Sequence, residues 1–129
     1  MAALEAEVRD TLDRFLRAVE TLDLERIASF FEDDAQMFSP MLAYPRRLDG
    51  KAAILDQFKA ILQLIRQTAQ PIRIETADLV VRELGGGAAL LTFHLSQPGP
   101  VHRRTFVMRR GGGGWRIAHI HASVESPLA

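Results

Sequence analysis

The sequence predicts an α+β fold in which three N-terminal helices pack on a curved antiparallel sheet. Up to Pro71, apolar residues recur at spacings of three and four, which is typical of amphipathic helices. After Pro71, apolar and polar residues alternate, and glycine-containing turns separate the runs, which is typical of an antiparallel meander. No linker or internal repeat interrupts the 129 residues. We therefore expect a single domain that spans residues 1–129.

The helical half divides at its capping and breaking residues. The spacing predicts helices over residues 3–20 and 24–31, a short strand over residues 35–39, and a third helix from Asp49 or Gly50 to Pro71. The apolar stripe of the first helix consists of Leu4, Val8, Leu12, Phe15, Leu16 and Val19. Asp23 is a favourable N-cap for the second helix, because its carboxylate can accept a hydrogen bond from a free backbone N–H group.

The second half predicts four long strands. They cover residues 72–84, 88–97, 101–110 and 115–124. In the first of them the apolar positions change parity between Ile74 and Leu79. One additional residue in a strand produces such a change, so we expect a β-bulge at residues 76–78.

Alternation divides the last strand into two predicted faces. One face carries Trp115, Ile117, His119, His121 and Ser123. The other carries the small apolar residues Ala118, Ile120, Ala122 and Val124, which suit the wall of a cavity. The first face is too apolar to lie comfortably in water, so we expect it to be the outer surface of the sheet and the contact of a homodimer.

The composition excludes several classes of function. The chain has 16 basic and 16 acidic residues and no cysteine. A balanced charge predicts neither nucleic acid nor a membrane surface as a partner, and the lack of cysteine excludes disulfides and thiolate chemistry. The acidic, amphipathic N-terminus is unlike a secretory signal. These features favour a cytoplasmic protein, and no cofactor is predicted.

Several segments resemble known families. FEDDA at residues 31–35, Ser39-Pro40 and GKAAI at residues 50–54 are similar to the SnoaL-like and ketosteroid isomerase families of the nuclear transport factor-like superfamily. LTFHLSQ at residues 91–97 and WRIAHIHAS at residues 115–123 resemble the association domain of calcium/calmodulin-dependent protein kinase. The resemblance implies a cone-shaped, cystatin-like fold in which helices and a curved sheet surround a pocket.

The chain departs from the isomerase pattern at the catalytic positions. By the resemblance, Ser39 stands where the isomerases have the carboxylate base, and Phe15 where they have an oxyanion-binding tyrosine. The second oxyanion donor, an aspartate, would fall at or beside Phe106. Neither a hydroxyl without a partner base nor a phenyl ring can replace these groups. We therefore expect no appreciable ketosteroid isomerase activity.

His94 is the candidate catalytic residue. Parity groups it with Leu90, Thr92 and Ser96, and the resemblance to the association domain matches it to an arginine that lines the pocket. An imidazole that points inward among hydroxyl groups could act as an acid, a base or a donor to a ligand. The alternative is a structural histidine that is hydrogen-bonded to Thr92 or to a neighbouring strand.

Other side chains are candidates for ligand binding rather than catalysis. The predicted ligand-binding residues are Ser39, Tyr44, Thr92, Ser96, Phe15, Phe106, Ile120 and Ala122. At most one member of each arginine doublet, 103–104 and 109–110, can point into a pocket and hold a carboxylate; solvated hairpin edges are the favoured interpretation. His119 and His121 share a face, but no third ligand accompanies them on the strand, so we predict no metal site.

Two functions remain open on the sequence. The first is a small-molecule-binding protein with an apolar pocket, whose enzymatic form would be proton transfer of the isomerase or cyclase type on a small organic substrate. The second is a non-catalytic dimerisation or ligand-binding module, as the resemblance to the association domain implies. The missing carboxylates favour the second, and the short chain without a partner domain favours the first.

Overall fold

The fold consists of three helices and a six-stranded sheet, which confirms the α+β prediction. The first two strands lie between the second and the third helix in the chain. The computed structural model describes residues 2–68 and 71–125. The helices are α1 (Ala2–Glu20), α2 (Leu24–Ser29) and α3 (Lys51–Arg66). The strands are β1 (Phe31–Phe38), β2 (Leu48–Asp49), β3 (Thr76–Gly85), β4 (Ala88–Leu95), β5 (His102–Gly111) and β6 (Gly114–Val124). No helix in this described part of the chain has the length and hydropathy that a bilayer crossing requires.

The apolar stripe of α1 lies against the sheet, as its spacing predicts. Its buried members are Val8, Leu12, Phe15, Leu16 and Val19. The ring of Phe15 is at the centre, with edge-on contacts to Phe30, Phe31, Phe58 and Phe106 at centroid distances of 5.6–6.1 Å. Such contacts add roughly 0.5–1.5 kcal/mol each to the burial of the rings. They connect α1, α3 and the sheet in one core.

The second helix is shorter than its pattern predicts. Asp23 caps it as expected, because the aspartate side chain accepts a hydrogen bond from the Arg26 backbone N–H at 3.1 Å. The helix ends at Ser29, however, and Phe31 already belongs to β1. Phe31 is fully buried and pairs with Ile117 of β6. Tertiary pairing of this aromatic residue therefore overrides its local helical spacing.

The sheet has the strand order β2-β1-β6-β5-β4-β3. Four of its five strand pairs are antiparallel, as predicted, but β1 and β6 are parallel. The difference arises because β1 precedes the meander and reaches β6 only after a long connection through α3. The alternation within a strand predicts its two faces and says nothing of the direction of its neighbour.

The predicted bulge in β3 is confirmed. The pairing with β4 shifts between Ala77 and Val80, and Asp78 adopts a left-handed φ of 56°. Aspartate tolerates this conformation better than most residues. Residues 71–75 precede the strand rather than belonging to it, and Ile74 is held instead by its backbone N–H, which donates to the Glu20 carboxylate at 2.6 Å. This segment thereby lies beside α1.

A second bulge, in β6, changes the predicted faces. Val107 of β5 pairs with His119 and the next residue, Met108, pairs with Ile117, so Ala118 is an extra residue. Trp115 and Ile117 are therefore buried on the helix side of the sheet, and their assignment to the outer face is wrong. The Trp115 Nε1–H group donates a hydrogen bond at 3.0 Å to Glu7 on α1.

Beyond the bulge, the predicted division of β6 holds. Ile120 and Ala122 are buried on the inner face, whereas His121 is exposed and His119 is half-buried on the outer face. The ring of Phe38, on the neighbouring strand β1, lies 6.0 Å from the ring of His119 and 5.1 Å from that of His121. These three rings form a small aromatic group on the outer face.

Candidate functional site

A cavity of about 230 Å³ lies between α1, α3 and the inner face of the sheet. Its wall is mostly apolar and consists of, among others, Phe15, Phe58, Ile61, Phe93, Phe106, Ile120 and Ala122. The polar groups that line it are Gln57, Arg73, Glu75, Ser96, Gln97 and Arg104. An apolar cavity with a few convergent polar groups is the usual form of a binding site for a small molecule.

Five of the predicted ligand-binding residues lie in this wall: Phe15, Ser96, Phe106, Ile120 and Ala122. Phe15 and Phe106 supply rings without a hydrogen-bond donor at the places where the resemblance implies the oxyanion donors of the isomerases. The ring of Phe15 is also enclosed by other aromatic rings, so its position favours packing over polar contact. Contact of the five residues with a ligand remains a prediction.

His94 does not line the cavity. On β4 the buried inner positions are Ala89, Leu91 and Phe93, so the alternation places Thr92 and His94 on the outer face. The expectation that His94 points inward is wrong for this physical reason. Thr92 is exposed, and it too is absent from the cavity wall. Of the residues that parity placed on the same face as His94, Ser96 alone lines the cavity. Ser96 follows the end of β4, and its backbone N–H donates to the Glu75 carbonyl oxygen at 2.8 Å.

Ser39 and Tyr44 lie outside the wall as well. The Ser39 hydroxyl donates to Oε1 of Gln57 at 2.7 Å and accepts from the Met41 backbone N–H at 3.1 Å. The Tyr44 hydroxyl donates to Asp56 at 3.5 Å on the solvent side of α3. Ser39 therefore acts on the cavity through Gln57, and Tyr44 does not cap it.

Gln57 is a cavity residue that sequence reasoning did not find. It is completely buried, and the Nε2 atom of its amide has no hydrogen-bond partner among the described residues. The signal was present, because Gln57 interrupts the apolar stripe of α3 between Ile54 and Ile61. A buried amide donor without a partner is costly, typically by about 1–3 kcal/mol. Such groups therefore deserve a functional explanation.

Arg104 is one of two cationic groups of the wall, and the other, Arg73, is exposed. It shares the inner face of β5 with Phe106 and is half-buried, and one of its N–H groups donates to the Arg103 carbonyl oxygen at 3.0 Å. Burial lowers the pKa of Arg104 to about 10. Within the described residues no carboxylate lies within ion-pair distance of its guanidinium. The sequence left two interpretations of the doublet 103–104, a solvated hairpin edge or one arginine that points into the pocket. Arg104 follows the second of these.

The other arginines of the two doublets lie outside the cavity wall and have partners of their own. Arg103 donates to the Ser123 hydroxyl at 3.2 Å. Arg109 contacts Glu32 at 2.6 Å, and Arg110 contacts Glu7 and lies over the Trp115 ring at 5.0 Å. These three are hairpin-edge residues, as favoured on the sequence.

Acidic groups are scarce around the cavity. Glu75 is the one carboxylate among the described lining residues, and it is exposed and ion-paired with Arg73 at 3.3 Å. The described lining contains no histidine, aspartate or tyrosine. His119 has a lowered pKa through burial and through the nearby His121, but both belong to the outer face. No group of three metal-ligating side chains occurs within residues 2–68 and 71–125.

Residues 8–127 match the SnoaL-like domain family. The chain belongs to the SnoaL-like family. Among curated proteins no match is found. The predicted relation to the SnoaL-like and nuclear transport factor-like proteins is thus confirmed, whereas the resemblance to the kinase association domain remains a prediction.

Solved structures show the same fold. A nuclear transport factor 2-like protein of unknown function from Pseudomonas putida is 27% identical, with a TM-score of 0.84 over 99% of this chain and 91% of that one. A Streptomyces avermitilis protein whose name proposes a dehydratase is 20% identical, with a TM-score of 0.79 over 98% and 99% of the two chains. A Novosphingobium aromaticivorans protein whose name proposes an aromatic ring hydroxylase is 18% identical, with a TM-score of 0.77 over 100% and 94%.

Proposed function

We propose that this protein binds a small, largely apolar organic molecule in the cavity between α1, α3 and the sheet. The observation that carries the proposal is an apolar cavity into which two hydrogen-bond donors, from Gln57 and Arg104, are built without a carboxylate partner. A protein core normally closes such a space or satisfies such groups. A ligand would do both.

The size of the cavity limits the ligand. An apolar cavity of roughly 150 Å³ holds one benzene molecule, which has six non-hydrogen atoms. By this proportion the cavity of about 230 Å³ holds about nine such atoms. It is also smaller than the sites of about 300–1,000 Å³ that hold drug-sized molecules. A single ring with a short polar substituent fits this volume.

Binding is favoured over proton-transfer catalysis. A general base must reach the proton that it removes, and the candidate base His94 lies on the opposite face of the sheet. Glu75 is the remaining carboxylate of the described lining, and its ion pair with Arg73 lies at the exposed edge of the cavity. The names of two structural relatives propose enzymes, but a shared fold does not supply this cavity with a base.

The test is a binding screen with a matched pair of variants on β6. A library of single-ring compounds is screened against the protein by ligand-observed NMR, and hits are titrated. Ala122→Leu adds bulk to the cavity wall and is expected to weaken binding of the hits at least tenfold. Ser123→Leu adds similar bulk on the outer face of the same strand and is expected to leave their affinity unchanged.

The screen also separates the two hypotheses. Hits that bind the wild type and both variants equally would place the binding elsewhere and contradict the proposal. Turnover of any hit by the wild type, abolished by Glu75→Gln, would support the enzymatic form of the first hypothesis. The absence of any hit would favour the second, a module whose role is association between chains.

A further inference from the structure

We propose that the cavity selects organic acids: a small carboxylate whose apolar body contacts the phenylalanine wall and whose anionic group is bound by Arg104, with the Gln57 amide donating to an acceptor atom of the same ligand. The proposal rests on the proposed function and adds the chemical class of the ligand. It is independent of whether the ligand is later transformed.

The charge of the cavity supports an anion. Among the residues that the structure describes, two arginines and one glutamate line it, Arg73 and Arg104 against Glu75, which leaves one positive charge. Arg73 and Glu75 contact each other at the exposed edge, so the excess charge belongs to Arg104. A half-buried guanidinium beside Phe106 is poorly solvated and gains most from a counter-ion that enters the cavity.

The hydrogen-bonding capacity of Arg104 supports a carboxylate among anions. A guanidinium has five N–H donors in a planar arrangement that matches the two oxygens of a carboxylate. One donor of Arg104 is used by the Arg103 carbonyl oxygen. Arg104 lines the cavity, and the described residues provide no other hydrogen bond and no ion pair to its guanidinium.

Gln57 provides the second, independent observation. The Ser39 hydroxyl, itself fixed by the Met41 N–H, donates to Oε1 of Gln57 and thereby holds the amide in one orientation. The Nε2 donor is then left free in a residue that is 0% exposed and lines the cavity. A preorganised donor of this kind favours a ligand with an acceptor and disfavours a hydrocarbon.

The test compares benzoate with benzamide, its neutral isostere. Each has nine non-hydrogen atoms, and their affinities are measured by calorimetric or NMR titration at neutral pH. Hydrogen bonds to charged groups contribute about 1.5–3 kcal/mol, which corresponds to roughly ten- to hundredfold in affinity. We expect the wild type to prefer benzoate by about this factor. Arg104→Met should abolish the preference and leave benzamide binding within about threefold of the wild type.

Arg103→Met is the matched control. It removes the same charge from the adjacent residue, whose side chain lies on the outer face and contacts Ser123. The control should retain the preference for benzoate. Equal loss of the preference in the two variants would show a general effect of charge and overturn the role of Arg104.

Gln57→Glu tests the site from the opposite wall and keeps the proposal testable if Arg104→Met folds poorly. It replaces the amide donor with a carboxyl group, which in its ionised form has no hydrogen to donate and repels benzoate. Benzoate binding should weaken by more than tenfold, and benzamide binding by less. A Gln57→Glu variant that binds both compounds as the wild type does would contradict the inference.

Failure of the inference is distinguishable from failure of the proposed function. Equal affinity of the wild type for benzoate and benzamide would reject acid selectivity and leave the cavity as a binding site. If neither benzoate, nor benzamide, nor any other single-ring compound binds, the proposed function is rejected, and the inference is rejected with it.

Discussion

At the scale of single residues, the buried charge of Arg104 is the clearest departure from what stability alone would select. Burial in the cavity wall disfavours its cationic form, and no described carboxylate compensates for it. A functional group that weakens the fold it belongs to is common at binding sites. The free energy of unfolding should therefore report on this residue without any ligand.

Replacing Arg104 with methionine is expected to raise the free energy of unfolding by about 1–3 kcal/mol at neutral pH. Methionine keeps the length of the stem and removes the charge that burial disfavours. Urea denaturation measures the change. Arg103→Met, on the outer face, should change stability by less than about 0.5 kcal/mol. A destabilised Arg104→Met variant would show that the guanidinium has a structural partner.

The lowered pKa of Arg104 predicts that the stability of the protein depends on pH. Its pKa is about 10 in the folded chain and higher in the unfolded chain. Above pH 10 the unfolded chain therefore binds more protons than the folded chain, and the contribution of Arg104 to stability rises with pH; below 10 its unfavourable contribution is constant. The stability gain of Arg104→Met should accordingly be constant up to about pH 9 and decrease above about pH 10.

Sequence reasoning found much of the apolar wall of the cavity, but of the polar groups in the wall it named Ser96 alone as a ligand-binding residue. Phe15, Phe106, Ile120 and Ala122 were predictable because apolar spacing and family resemblance both concern the inner face. His94 was placed on the wrong face, because the buried positions of β4 are those of Leu91 and Phe93. Polar residues of the wall carry no period of their own, and their neighbours come from other elements.

At the scale of elements, the pattern predicts a strand or helix well and its partners poorly. The helix starts at Asp23 and Gly50 and the bulge at Asp78 follow from local chemistry, and the structure has all of them. The early start of β1 at Phe31 and its parallel pairing with β6 depend on contacts between distant residues. The periodicity of apolar residues within one segment carries no information about contacts with a distant segment.

The bulge at Ala118 explains why the faces of β6 were misassigned. Trp115 and Ile117 lie on the inner face before it, and Ile120 and Ala122 lie on the inner face after it. These four residues have mixed parity in sequence, and one extra residue between the pairs brings them to one side. The small size of Ala118 suits the irregular position.

Deletion of Ala118 is expected to cost little stability, because it removes the extra residue and leaves Trp115, Ile117, Ile120 and Ala122 on the inner face. Deletion of Arg116, which lies between Trp115 and Ile117, should instead turn Trp115 to the outer face and cost roughly 1.5–3 kcal/mol through lost burial. Thermal or urea denaturation measures both losses. Equal losses in the two variants would show that the irregular pairing at Ala118 itself stabilises the sheet.

At the scale of the whole molecule, the question is whether the outer face of the sheet is covered. Trp115 and Ile117 no longer support a homodimer through this face, because both are buried against the helices. The outer face still carries the aromatic group of Phe38, His119 and His121, of which Phe38 is 36% exposed. It also carries a row of half-buried apolar residues on the central strands. The homodimer accordingly stays a prediction with a narrower basis.

If the dimer forms through this face, Val107→Glu should convert it to a monomer at micromolar concentration, because a charge would lie in the middle of the contact. Sedimentation velocity measures the mass in solution. Leu64→Glu places the same charge on the exposed side of α3 and should leave the mass unchanged. A monomeric wild type at these concentrations would exclude the dimer.

The parallel pairing of β1 with β6 also sets the order in which the chain can fold. Phe31 pairs with Ile117, which lies 86 positions later in the chain (117 − 31 = 86). Until Ile117 is in place, Phe31 has no strand neighbour and the core around it is open. The closure entropy of so long a loop grows slowly with length, but it must be overcome before the contacts form. During synthesis, the helical half therefore emerges with its aromatic surface uncovered. Completion of the fold, and of the cavity between its layers, coincides with release of the last strand.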